Sequence, residues 1–332
     1  MKRTVPAILF ILLFAAVGYL FRETRPAVCM ARAGNVFPDK TGPDSVLVVE
    51  RTIVREPVRM PKVPDCLVFA GDTIRFDRLD LRERMDRELI AFTYSHTNSL
   101  LMLKRASRIF PQVEPLLAEN GVPDDLKYLM AIESNLSETA VSAVGAAGLW
   151  QFMREVGKEY GLEVSATVDE RYHVRKETVA ACSYLKNAYA RFGDWMTVAA
   201  SFNGGINGIT RRREVQQQPK ALDLHLVEET SRYMFRILAA KMMFEDPALF
   251  GFELDEEDRY PYIPPKQAVR VSESIDDLAA FALRYGVTYA QLRRANPWLR
   301  DTKLVAAKGK TYEIAIPDIT AERDYFQRLK LL

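Results

Sequence analysis

The spacing of apolar residues changes several times along the chain, and each change predicts a different element. Val5 to Phe21 is a nearly unbroken apolar run behind Met1-Lys2-Arg3. It is shorter than the roughly 20 residues of an ordinary spanning helix, and a positive start before such a run suits an export signal. Residues 1–22 are read as a signal peptide or membrane anchor. Ala31-Arg32-Ala33 offers a cleavage site, but the long charged segment before it keeps a retained anchor open. Residues 23–75 hold Pro26, Pro38, Pro43, Pro57, Pro61 and Pro64 without a helical period, which predicts a tether with a short strand over 45–54. Helical spacing begins at Leu79. Leu89, Phe92, Leu100, Leu103 and Phe110 are candidate core residues, and a separate helix is expected from Pro111 to Asn120, closed by Gly121.

Val122 to Met153 is the stretch around which the rest is organised, and its helix is predicted to run through about Ser134. Pro123, Asp124 and Asp125 suit a helix start. Leu126, Leu129, Met130 and Glu133 then fall at i, i+3, i+4 and i+7, on one face. Glu133 thus sits in the middle of an apolar stripe, where a surface glutamate does not belong. Such a glutamate either swings out to water or meets an apolar wall. Against a wall it must find a cation or hold its proton, and a carboxyl that holds its proton near neutrality is a general acid.

After the helix comes Ser142-Ala143-Val144-Gly145-Ala146-Ala147-Gly148-Leu149-Trp150-Gln151. Small residues let backbone pass close to a ligand, and an aromatic plate beside an amide suits a sugar. The other reading is a tight loop into a helix over 149–160, with Trp150 in the core. Further helices are predicted over 177–192, 195–202 and 228–244, with Gly193 as a stop and Asp194 as a cap. Asn203-Gly204-Gly205 is a turn signal. Tyr233, Ile237, Ala240 and Phe244 share one stripe, and Arg211-Arg212-Arg213 reads as a solvated face. The acidic, then proline-rich stretch 255–267 reads as a linker. Residues 268–317 show a β-α-α-β order, and 318–332 a tail with a short amphipathic helix.

Composition narrows the function. The chain has 332 residues, 48% hydrophobic, 27% charged, with net charge +2. That near-neutral balance gives no case for nucleic acid. His96, His173 and His225, like Cys29, Cys66 and Cys182, lie too far apart for metal-ligand spacing, so neither metal nor cofactor is expected. Cys182 sits in a helical run and reads as a small core residue, although a Cys66–Cys182 disulfide stays open.

Four ordered motifs carry a resemblance. Glu133-Ser134; Ser142 with Gly145-Ala146-Ala147-Gly148-Leu149-Trp150-Gln151; Ser201-Phe202-Asn203-Gly204-Gly205; and Glu229-Thr230-Ser231-Arg232-Tyr233 resemble the motifs of soluble-lytic-transglycosylase-type domains, over about residues 110 to 245. Trp150 and Val168-Asp169-Glu170-Arg171 point to the membrane-bound type D subgroup. Residues 268–317, with Gly286-Val287-Thr288 and Leu292-Arg293-Arg294-Ala295-Asn296-Pro297-Trp298, are similar to a LysM module, either glycan-binding or purely structural.

The resemblance implies a mainly α fold: a lysozyme-like helical catalytic domain over 76–254 and a small α+β (βααβ) C-terminal domain. It implies peptidoglycan glycan strands as substrate, met in the periplasm or cell envelope, with membrane attachment through the N-terminus as an option. Glu133 would act as acid and then base, cutting the N-acetylmuramic acid–N-acetylglucosamine bond without water and leaving 1,6-anhydro ends. Ser142, Gly145, Gly148, Gln151, Asn203 and Tyr233 would hold the sugar or orient Glu133. Phe202 stands where the family commonly has tyrosine, so no hydroxyl is available there. A typical glycosidase needs two carboxylates. Glu138 and Glu155 sit at no motif position, and Asp169 and Glu170 read as ties between a loop and a helix end. A goose-type-lysozyme-like hydrolase and a non-catalytic wall-binding protein are the alternatives.

Overall fold

The computed structural model describes residues 60–329. The expected signal or anchor, most of the tether and the strand expected at 45–54 lie outside those residues. The described chain starts with a hairpin. β1 (Cys66–Phe69) pairs antiparallel with β2 (Asp72–Arg75). Ala70 and Gly71 turn between them with φ of 51° and 90°, the paired left-handed conformation of a two-residue hairpin loop. Phe69, Ile74 and Phe76 are buried. The tether expected to reach residue 75 therefore gives way to folded chain earlier. Its last proline is Pro64, and apolar alternation about a glycine turn takes over from there.

α1 (Leu79–Tyr94) and α2 (His96–Glu119) follow. The helix break comes at Ser95, not at Pro111 as expected. α2 runs through Pro111 and Pro115, with Ile109, Val113, Leu116 and Leu117 on its buried face. Each proline removes one backbone rung, but the apolar face holds the helix against the core.

α3 (Leu126–Ser134) carries the expected stripe, and Leu126, Leu129 and Met130 are wholly buried. Asp125, just before it, does more than complement a helix dipole. Its Oδ1 accepts from Lys241 Nζ at 2.7 Å and its Oδ2 from the Ala70 backbone N–H at 2.7 Å. One carboxylate thus fastens the hairpin, the start of α3 and α8 (Glu228–Glu245) together. α8 is buried on most of its circumference, through Tyr233, Met234, Phe235, Ile237, Leu238 and Ala239. Such a helix belongs to the middle of a core.

α4 (Arg154–Glu159) is shorter than the helix considered over 149–160. α5 (Val174–Phe192) ends at Gly193, whose φ is 77°. Asp194 caps α6 (Trp195–Gly204), accepting from Thr197 N–H at 2.8 Å. α7 (Ile206–Gln216) carries the arginine run and has no apolar stripe to announce it, since Ile209 is its one buried residue. Cys66 and Cys182 are free thiols, the first exposed and the second buried.

The C-terminal unit has the expected order: β3 (Gln267–Val271), α9 (Leu278–Arg284), α10 (Tyr289–Ala295) and β4 (Tyr312–Ile316), then α11 (Ile319–Leu329). β3 and β4 are antiparallel, with Val269 opposite Ile314. The connection before it lies along α2: Tyr260 N–H donates to Lys104 O at 3.0 Å, and Lys104 pairs with Asp258 at 3.3 Å. The unit also docks on the helical part. Ala147, Val168 and Tyr172 share a core cluster with Leu299, Trp298 and Tyr312. Asp169 N–H donates to Trp298 O at 2.9 Å, and Arg300 N–H to Thr167 O at 2.8 Å. The architecture is mainly α, with a small α+β unit at its C-terminal end.

Candidate active site

Glu133 lies in the last turn of α3. The chain then turns sharply, with Asn135 and Leu136 at φ of 49° and 55°, and Arg105 donates to Asn135 O at 2.9 Å. Tyr233, in the second turn of α8, is buried and donates its hydroxyl to Glu133 Oε1 at 2.5 Å. Glu133 itself is half-buried. Burial pushes its pKa from 4.5 up to about 7, while the Tyr233 hydroxyl and the Arg236 charge pull it down and Glu229 pushes it up. The apolar stripe has the consequence read from the sequence: the carboxyl holds its proton close to neutrality.

Arg236 was not singled out from the sequence, and Glu229 entered only as the first residue of the fourth motif. Both were legible by spacing, four residues before and three after Tyr233 on one helix. Glu229 also accepts from Asn203 Nδ2 at 3.4 Å. Asn203 is held in turn by Thr230, whose hydroxyl donates to Asn203 Oδ1 at 2.7 Å. The end of α6 is thereby tied to the start of α8, next to Glu133 and Tyr233.

The glycine loop is built separately. Ser142 N–H donates to Ala146 O, and Ser142 Oγ accepts from Ala146 N–H at 3.0 Å. Gly145 turns at φ 86°, and its carbonyl accepts from Arg171 Nη1 at 2.9 Å. Gln151 Nε2 donates to Gly148 O at 2.8 Å and Ala140 O at 3.2 Å. Ser142, Gly145, Gly148 and Gln151 are thus gathered in one loop that hydrogen-bonds to itself. Among the described residues, none of the four hydrogen-bonds to the Glu133 carboxyl, whose partner is Tyr233.

Trp150 is not a sugar plate. It is wholly buried, donates Nε1–H to Thr178 Oγ1 at 3.1 Å, and packs near Phe202 with ring centroids 6.3 Å apart. Of the two sequence readings, the core one is correct for this residue, because the loop must seat its bulk somewhere dry.

Beneath the loop is Glu177, which has no solvent exposure. Its Oε2 accepts from Trp150 N–H at 3.2 Å, and burial drives its pKa well above the ordinary carboxyl value. Glu177 was passed over as the start of a predicted helix, although Ala181, Leu185 and Ala188 put it on a buried face. Asp169 and Glu170 behave as read. Asp169 pairs with Arg171 at 2.7 Å, and Glu170 pairs with Lys176 while accepting from Glu163 N–H at 2.8 Å. Glu138 pairs loosely with Arg108 at 3.5 Å. Both line a cavity of about 470 Å³ between α2 and the C-terminal unit, which does not include Glu133.

Glu133 under a buried tyrosine hydroxyl, with a glycine loop braced after it, can be compared with known proteins. Residues 114–224 match the Transglycosylase SLT domain. Residues 267–320 match the Soluble lytic transglycosylase C-terminal LysM-like domain. Membrane-bound lytic murein transglycosylase D of Escherichia coli K12 is 25% identical over 269 residues, 78% of this chain and 57% of that protein. The same protein of Escherichia coli O6:H1 matches equally. The chain therefore spans a little over half the length of these curated relatives. Among solved structures, an inactive mutant of the lytic transglycosylase Slt from Pseudomonas aeruginosa is similar at 17% identity and a TM-score of 0.35, over 55% of this chain and 33% of that one. The SLT match contains Glu133, the glycine loop and Asn203. Glu229, Tyr233 and Arg236 lie beyond its end and join the SLT domain through the contacts given above.

Proposed function

We propose that the chain is a peptidoglycan lytic transglycosylase in which Glu133 is the one acid and base. The contact between Glu133 and the buried Tyr233 hydroxyl, with the carboxyl raised to about 7, carries this reading. A group with a pKa near the working pH can both give and take a proton. Glu133 would protonate the oxygen bridging N-acetylmuramic acid to N-acetylglucosamine, and that bond breaks. The sugar's own 2-acetamido carbonyl would meet the developing positive charge at C1. Glu133, now ionised and held by Tyr233, would take the proton of the C6 hydroxyl as its oxygen closes on C1. The products are a 1,6-anhydro end and a free N-acetylglucosamine end, with no water consumed.

Tyr233 orients Glu133, since its proton points at Oε1. Asn203, Ser142 and Gln151 are read as groups for the sugar's amide and hydroxyls, with Gly145 allowing close backbone approach, whereas the Gly148 position expected to do the same is packed against Arg171 O and Glu177. The site belongs with the unit read as 76–254. The relatives' names place them at a membrane and on murein, and a cell-envelope setting is proposed here on that ground. Among the described residues no helix is long and apolar enough to cross a membrane.

Mass analysis of the fragments released from purified peptidoglycan tests the reading. Wild type is expected to leave 1,6-anhydro ends, and Glu133→Gln to release them at least about a hundredfold more slowly. Reducing ends would make the protein a hydrolase. Cleavage by Glu133→Gln at the wild-type rate would remove Glu133 from the chemistry.

A further inference from the structure

Asn203 is one of the groups read for the sugar, and an amide side chain can be turned two ways. Its oxygen accepts and its nitrogen donates, so the turn decides what it can hold. Two neighbours on α8 fix that turn. Thr230 Oγ1 donates to Asn203 Oδ1 at 2.7 Å, and Glu229 Oε1 lies 3.4 Å from Asn203 Nδ2. A carboxylate accepts and does not donate, so the NH2 end of the amide is the one that faces Glu229. The opposite turn would set Oδ1 against the carboxylate, oxygen to oxygen. Oδ1 is thereby left to the Thr230 hydroxyl, which supplies the proton it needs.

The two neighbours are not equivalent. Glu229 is exposed and its contact is long, whereas Thr230 is 3% exposed and its contact is short. The chain is also shaped around Thr230. A Cβ built on Gly204 would lie 3.2 Å from Thr230 Cγ2 and from Ile209 Cδ1, and 3.4 Å from Thr230 Oγ1. The residue after Asn203 thus carries no side chain where the threonine methyl lodges. A threonine has few choices at χ1, and with its methyl lodged the direction of its hydroxyl is set. Asn203 is only half-buried, so a sugar in the cleft can meet its amide while Thr230 stays behind it. The amide nitrogen carries two protons, and Glu229 takes one of them.

We propose that Thr230 is a positioning residue, which locks the Asn203 amide in one orientation so that the second N–H of Nδ2 is held ready for an acceptor oxygen of the bound sugar. The inference rests on the transglycosylase reading for the sugar. It adds a residue that touches no substrate and acts through Asn203.

Thr230→Val keeps the shape and removes the hydroxyl, and Thr230→Ser keeps the hydroxyl and removes the methyl. The full chain is assayed on solubilised glycan strands by release of 1,6-anhydro ends. Thr230→Val is expected to raise KM about 3- to 10-fold, the scale of one hydrogen bond, and to leave kcat within about twofold. Thr230→Ser stays within about twofold of wild type in both. Asn203→Ala raises KM at least as much, and adding Thr230→Val to it changes KM no further, because the lock then has nothing to hold. A second readout needs no turnover. In 15N-labelled protein the Asn203 side-chain NH2 signals, identified by their loss in Asn203→Ala, shift or broaden in Thr230→Val and stay in place in Thr230→Ser. Thr230→Ala, which removes the hydroxyl without adding bulk, replaces Thr230→Val if circular dichroism shows the valine variant misfolded.

Three results overturn the proposal: valine and serine variants that behave alike, an effect of Thr230→Val that adds in full to that of Asn203→Ala, or Asn203 NH2 signals undisturbed by loss of the hydroxyl. A wild type that makes no 1,6-anhydro ends overturns the transglycosylase reading instead, and the NH2 signals still decide whether the lock exists.

Discussion

Glu133 shows how little is needed to make a helical glutamate hold its proton close to neutrality. Its position on the stripe sets its burial, and burial raises it to about 7. The sign of the pH dependence follows. The free enzyme must start protonated to act as an acid, so kcat/KM is expected to hold below about pH 7 and fall above it. Tyr233 donates to the charged form and so pulls the pKa down. In Tyr233→Phe that hydrogen bond is gone. The alkaline limb should move to higher pH, while the rate at pH 6 falls about tenfold or more because the carboxyl has lost its orienting partner. Steady-state rates across pH 5 to 9 check both effects. An unmoved limb in Tyr233→Phe would mean that the hydroxyl does not act on Glu133.

The glycine loop that follows α3 is supported from underneath. Gly148 has φ 83°, and a Cβ there would sit 1.7 Å from Arg171 O and 2.4 Å from Glu177 Oε2. Backbone on one side and a buried carboxyl on the other leave no room to give. Gly148→Ala is expected to lose about 3 kcal/mol or more of stability, read by urea unfolding, with a changed Trp150 near-ultraviolet signal. Gly145 also turns at positive φ, but nothing lies within 4 Å of a Cβ there, so Gly145→Ala should cost only its backbone strain. The need for a glycine at 148 was visible in the sequence. Its cause was not, because Arg171 and Glu177 come from segments more than twenty residues further on.

Strong local periodicity made α3, α5, α6 and α8 legible, along with both strands of the C-terminal unit. The misses have physical causes. α7 has almost no apolar face to read. The proline rule placed a break inside α2 where packing overrode it. The hairpin was hidden in a proline-rich composition. In the site, Glu133 and Tyr233 could be joined only through the family resemblance, since one hundred residues separate them. Arg236 and Glu177 needed the fold itself.

At the scale of the molecule, the C-terminal unit is anchored by apolar burial and by polar contacts. Lys310 Nζ and Tyr312 Oη both donate to Glu163 Oε2 at 2.9 Å, and Val168 pairs with Leu299 in a short bridge. Val168 is wholly buried in this joint. Residues 60–329 are therefore expected to melt in one calorimetric transition, with a van't Hoff enthalpy matching the calorimetric one. Two separated transitions would show that the units hold themselves up independently.

The short segment from Thr167 to Arg171 touches both partners of that joint. Thr167 and Asp169 hold the C-terminal unit, while Arg171 Nη1 holds the carbonyls of Gly145 and Phe152. A backbone grip at Thr167 and a side-chain grip at Arg171 thus sit four residues apart on one short segment. Whatever load the small unit bears, whether from a wall strand or from a replacement module spliced in its stead, is delivered straight to the rim where the sugar would lie.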